Sequence, residues 1–138
     1  MAGKDLGALA RRYYRAYEKK DRAFVEDHLA DGFTFTSPYD DHIGRAEYFE
    51  RCWPNSERLR KFTFAAVMAR GDNVFVLYDC ETKDGAAFRN AEYLTFENGR
   101  LKCVEVFFGD PPTGIDKGDY PAFVDVGKQA WDQRLHSM

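Results

Sequence analysis

The stretch that decides the fold is Phe88-Arg-Asn-Ala-Glu-Tyr-Leu-Thr-Phe96, then Glu97-Asn-Gly-Arg100, then Leu101-Lys-Cys-Val-Glu-Val-Phe-Phe108. Two extended runs flank Asn98-Gly99, a strong short-range signal for a β-hairpin. Side chains alternate between faces along a strand, so Phe88, Asn90, Glu92, Leu94 and Phe96 share one face. That face is apolar apart from Asn90 and Glu92. A carboxyl on such a face is paired, neutral or in use, because removing a charge from water is costly. A two-residue loop would set Glu92 opposite Glu105. A three-residue loop, Glu97 to Gly99 with a bulge at Gly99, would set it opposite Val104 and bring Val106 and Phe108 onto its face. The second register is the expected one. It keeps one acid on each face, and a slip of one residue exchanges the faces.

Working outward, the chain has 138 residues, enough for one domain with a proper core. Its 20 basic and 23 acidic side chains leave a net charge of −3, which provides no electrostatic footprint for nucleic acid or an anionic membrane. No apolar run approaches a membrane span, and Met1-Ala-Gly-Lys-Asp5 lacks a signal-peptide core, so a cytoplasmic setting is expected. Cys52, Cys80 and Cys103 have no metal-type spacing and read as reduced, buried thiols. Aromatics at 16% suit a chain that lines a pocket, although cores also use them.

Towards the N-terminus, Asp5 can cap a helix over Leu6 to Lys20, with Leu6, Leu9, Tyr13 and Tyr17 at helical spacing and Ala10 and Tyr14 beside them. Tyr13 lies mid-stripe and points at whatever this helix covers. Asp21 restarts the helix, Phe24, Val25 and Leu29 are its apolar residues, and Gly32 fits just past its end. Phe33 to Ser37 alternates as a short strand that Pro38 closes. The loop Tyr39-Asp-Asp-His-Ile43 follows. Asp41 is nearer the next helix and reads as turn or capping chemistry. Asp40 and His42 stand open between that role and a general base at a pocket rim. Asp-Asp-His lacks the spacing of a known metal motif, and neither a metal nor a cofactor is expected.

Gly44 precedes a helix from Arg45 to Trp53, ended by Pro54, and Asn55 to Lys61 reads as a polar connector. Strands over Phe62 to Arg70 and Val74 to Thr82 then lead into the hairpin, with turns at Gly71-Asp-Asn73 and Lys83-Asp-Gly85. Some of these strands are apolar on both faces, so the sheet wants helices on one side and something else, such as a second subunit, on the other. After Gly109 the composition turns to Pro and Gly, followed by a segment from Tyr120 to Leu135 that can form a last helix.

Three helices, a strand between the second and third, and four antiparallel strands make an α+β chain. It resembles the nuclear transport factor 2-like superfamily, and within it the SnoaL-like and ketosteroid-isomerase-like groups. The likeness rests on Arg12-Tyr-Tyr-Arg-Ala-Tyr17 with Asp21, Phe33-Thr-Phe-Thr-Ser-Pro38, Gly44, and Phe96-Glu-Asn-Gly-Arg-Leu101 leading to Phe107-Phe-Gly109. It implies a cone-shaped, curved antiparallel sheet wrapped around three N-terminal helices, a cystatin-like roll with an apolar cavity open at one end. That domain would span residues 1–110, with a C-terminal extension at 111–138. Tyr13 falls where the isomerases have an oxyanion-binding tyrosine, and Glu92 where they have an aspartic acid. Ser37 occupies the place of their general base, with Asp40 two residues beyond Pro38. Gly109 stands where SnoaL-type cyclases tend to carry an acid.

This implies a small hydrophobic ligand, with Ser37, Tyr39, His42, Trp53, Asn90, Val106 and Phe108 around the pocket. One reading is an acid–base enzyme acting on a hydrophobic carbonyl compound. A neutral Glu92 and Tyr13 would hold the oxyanion, and Asp40 or His42 would move the proton. Other readings are a binding module without catalysis and an assembly domain. A homodimer is expected through the hairpin's back face, Arg89, Ala91, Tyr93, Cys103 and Phe107.

Overall fold

The computed structural model describes residues 5–109. The extension at 111–138, with its expected helix, lies outside the described residues. In α1 (Leu6–Lys19), Asp5 caps the N-terminus by accepting from the Ala8 N–H at 3.0 Å, and Lys20 ends the helix in the left-handed region at φ 59°. Ala10, Tyr13, Tyr14, Ala16 and Tyr17 are buried, a stripe wide enough to be covered from more than one side. Glu18, which the helical spacing places on the wet face, instead accepts the Phe62 N–H at 2.7 Å and ties the helix to the sheet. In α2 (Arg22–His28), Asp21 caps by accepting from the Phe24 N–H at 3.1 Å.

Two further strands appear where one strand and a loop were expected. The first, β1, runs Leu29–Ser37 and contains Gly32 at φ +74°, so that glycine lies in a strand irregularity, not at a helix end. The second, β2 (Asp40–Ile43), folds back on β1 as a hairpin with Ser37 opposite Asp40. The third helix, α3 (Arg45–Arg51), is shorter than its apolar pattern suggests. A 3-10 helix, Trp53–Arg58, follows with Pro54 in its first turn, a position where the missing N–H costs nothing. Then come β3 (Leu59–Arg70), β4 (Asn73–Thr82), β5 (Ala87–Glu97) and β6 (Arg100–Phe108).

The strands form one sheet in the order β2-β1-β6-β5-β4-β3. It is mixed, since β1 runs parallel to β6 while the remaining neighbours are antiparallel. The curved sheet and three helices make the expected α+β cone. Its inner face buries Phe62, Val74, Val76, Leu94, Phe96, Leu101 and Val104 against α1 and α3.

The central hairpin adopts neither register considered above. Asn98 and Gly99, at φ 52° and 76°, form a two-residue turn between the partners Glu97 and Arg100. A register shift between Thr95 and Phe96 leaves Lys102 unpaired, so beyond it Glu92 lies opposite Val106, not Val104. The face assignment nevertheless stands: Val104 and Val106 are buried with Glu92, and Glu105 is exposed. Nature's solution to the like-charge conflict is a bulge within the strand rather than a longer loop.

The outer face remains partly apolar. Met68, Tyr93 and Phe107 are 60%, 41% and 52% exposed. Met68, Phe75 and Tyr93 lie side by side on one rung, and Ala66, Leu77, Ala91 and Phe107 on the next. Among the described residues, no helix is long and apolar enough to cross a membrane.

Candidate functional site

Between α1, the 3-10 helix and the inner face of the sheet lies a cavity of about 510 Å³. That is within the range of small-molecule sites. Tyr13, Tyr14, Asp40 and Glu92 line it, as do Ser37, Tyr39, Asn90, Val106 and Phe108. Two expected lining residues do not. His42 turns outward in the β1–β2 hairpin at φ 51°, its side chain 67% exposed and 2.7 Å from the Asp41 carboxylate. Trp53 is buried behind the wall, edge-on to Tyr17 at 4.7 Å between ring centres.

Glu92 owes its position to strand alternation on β5, which aims it inward between Asn90 and Leu94. It is buried, and burial pushes its carboxyl up to about 7, because the charged form loses water. The Tyr78 hydroxyl, from β4, opposes this by donating to Oε2 at 2.5 Å. Asn90 Nδ2 donates in turn to the Tyr78 oxygen at 3.4 Å. The carboxyl therefore has one oxygen committed and the other facing the cavity.

Tyr13 and Tyr17 extend the polar lining along α1. The Tyr48 hydroxyl, from α3, hydrogen-bonds the hydroxyls of both Tyr13 and Tyr17 in a buried chain. Burial raises all three phenols well above their ordinary range, so each is a neutral hydroxyl. Tyr14 differs. It is 2% exposed, its ring packs edge-on to Phe62 and Phe64, and its hydroxyl makes no hydrogen bond of ordinary geometry. It nevertheless lies close enough to Glu92 to feel that charge. The Tyr14 oxygen presents almost no surface to the cavity, and together with Tyr78 it draws the Glu92 carboxyl back down against burial.

Asp40 sits at the other end. Its Oδ1 takes Nε and Nη2 of Arg51 at 2.8 and 2.7 Å, and its Oδ2 accepts from the Ser37 hydroxyl at 3.0 Å. Ser37 Oγ also accepts the Tyr39 N–H at 3.1 Å. Asp40 is buried, whereas the Arg51 side chain is half exposed. Both carboxylate oxygens are thus engaged, which distinguishes Asp40 from Glu92.

Sequence reasoning missed Tyr78, Tyr14, Arg51 and Arg58 as lining residues. Tyr78 shares a face with Val74, Val76 and Cys80, so period-two alternation on β4 carried a signal for it. Arg51 carried none, since nothing local pairs it with a residue eleven positions earlier.

Residues 10–104 match the model of the SnoaL-like domain. No curated protein matches the chain in sequence. Solved structures share the fold at low identity. A protein from Kribbella flavida superposes with a TM-score of 0.69 at 21% identity, over 91% of this chain and 95% of that one. An NTF2-like protein of unknown function from Cytophaga hutchinsonii gives 0.61 at 20% identity, over 79% and 95%. An LEH-like epoxide hydrolase from M. tuberculosis gives 0.63 at 14% identity, over 74% and 80%.

Proposed function

We propose, from the premise that this chain belongs to the SnoaL-like domain family, that it is an acid–base enzyme. It would transfer a proton on a hydrophobic carbonyl compound held in the cone. One observation carries this reading: a buried carboxyl, Glu92, brought to about 7 inside an apolar cavity. A general base or acid works best when its pKa lies near the working pH. Glu92 takes the proton adjacent to the carbonyl on its unengaged oxygen and returns it to another carbon. The oxyanion that develops accepts a hydrogen bond from Tyr13. Tyr13 keeps its own proton for the substrate when Tyr48 donates to it. Asp40, tied to Arg51 and Ser37, holds the wall and orients Arg51 instead of serving as the base.

The test is deuterium uptake from heavy water into a panel of bound cyclic ketones, followed by mass spectrometry. Exchange that Glu92→Gln abolishes, with ketone binding retained, is the expected result. Tight binding without exchange in any ketone would leave the second reading, a non-catalytic binder. That reading is favoured by Ser37 standing where the isomerases carry their base.

The outer face supports a homodimer, with Met68, Phe75, Tyr93 and Phe107 covered by a second copy. Exposed apolar surface of this kind marks interaction sites.

A further inference from the structure

The cavity is not chemically uniform. Its dry end presents neutral hydroxyls and Glu92, while its mouth, at the end of α3 and along the 3-10 helix, presents Arg51, Asn55 and Arg58. Arg51 gives Nε and Nη2 to Asp40, and Nη1 makes no hydrogen bond among the described residues. The guanidinium is held in place by a buried, fully engaged carboxylate, yet half of its side chain faces outward. Arg58 is exposed and forms no ion pair among the described residues, although Asp84 feels its charge. Asp40 engages Arg51 on one edge, and Arg58, with only the more distant Asp84 to balance it, adds a second exposed guanidinium at the rim.

From this asymmetry we infer that the natural ligand is an amphipathic acid. Its apolar body carries a neutral oxygen towards Tyr13 and Glu92, and its carboxylate, or an anion of similar shape, rests at the mouth on Arg51 and Arg58. The planar fork of a guanidinium matches a carboxylate with two donors. Asn55 adds an amide on the same rim. A positioned anion at the mouth would fix which carbon of the body meets Glu92, so the rim sets orientation and the dry end performs the chemistry. The inference rests on the cavity being the ligand site, as proposed above, but not on the ligand being turned over.

The experiment compares binding of 2-naphthoate with 2-naphthamide, an uncharged molecule of nearly the same shape, by calorimetry at low and moderate salt. The acid is expected to bind about five- to tenfold more tightly, the modest end for a charge-assisted contact because both arginines reach solvent. The preference should shrink with salt. Arg58→Gln, at an exposed position, should remove most of it, and Arg51→Gln the remainder. Equal affinity of acid and amide, a preference unchanged in both variants, or no binding of either molecule would overturn the inference. Ketone exchange by the wild type alongside equal affinities would sink this inference alone. A clear acid preference without exchange would sink the catalytic reading and leave this one standing.

Discussion

Tyr78 and Glu92 are diagonal neighbours on adjacent strands, and the phenol donates to the carboxyl at 2.5 Å within a closed wall of the cavity. Because Val76 pairs with Glu92 and Tyr78 with Asn90, the contact is set by sheet register and by no loop. It is the strongest restraint on the group that the proposed chemistry uses, and it opposes the effect of burial.

The pH dependence of stability follows from burial of Glu92. Its folded pKa, about 7, lies above the unfolded 4.5, so the folded state binds the extra proton between them. The contribution is fully present below 4.5 and is lost as pH rises through 7. The loss is about 3 kcal/mol, taking roughly 1.4 kcal/mol per unit. Urea denaturation from pH 4 to pH 9 should show wild type falling relative to Glu92→Gln by this amount. A parallel pair of curves would refute the assignment.

Replacing Tyr78 by Phe removes the donor that holds the Glu92 carboxyl down, so that group should titrate still higher. Carbon-detected NMR of the labelled carboxyl would read the upward shift directly. Stability at pH 5 should fall by about 1–2 kcal/mol for the lost buried hydrogen bond. If ketone exchange occurs, its alkaline-going rise should move in the same direction as the carboxyl.

The Asp40–Arg51 pair should respond asymmetrically. Arg51→Gln leaves a buried carboxylate with only the Ser37 hydroxyl, at a cost of about 1–3 kcal/mol. Asp40→Asn leaves a half-exposed guanidinium that water can serve, and should cost less. Equal costs in a double-mutant cycle would show that the pair is not governed by the buried partner.

Tyr48→Phe removes the hydroxyl at the centre of the tyrosine chain and leaves Tyr13 and Tyr17 each without that partner. About 2–4 kcal/mol of stability should be lost, more than for Tyr17→Phe, which removes an end. Thermal denaturation of the two variants would rank them.

A charge on the outer face tests the assembly. Phe107 is 52% exposed and lies beside Ala91 on the sheet. Phe107→Asp should convert a dimer to a monomer in sedimentation equilibrium, with the far-ultraviolet spectrum unchanged. A wild type that sediments as a monomer would contradict the proposed dimer at once.

Much of this molecule was legible in local pattern. Asp5 and Asp21 announced the starts of α1 and α2, Asn98-Gly99 announced the hairpin turn, and alternation placed Glu92 on a buried face. These features depend on neighbours a few residues apart, where capping, turn geometry and the pleat act directly. Their order along the chain was enough to identify the cone. Tertiary structure alone decided which distant groups meet. It turned His42 outward, set Trp53 behind the wall, bonded Tyr78 to Glu92, and gave Asp40 to Arg51. The bulge at Lys102 belongs to the same category, since one unpaired residue reconciles a tight turn with a buried face. Side-chain direction is encoded within a few residues, but the dielectric around a carboxyl and the identity of its partner exist only once the sheet has closed over it.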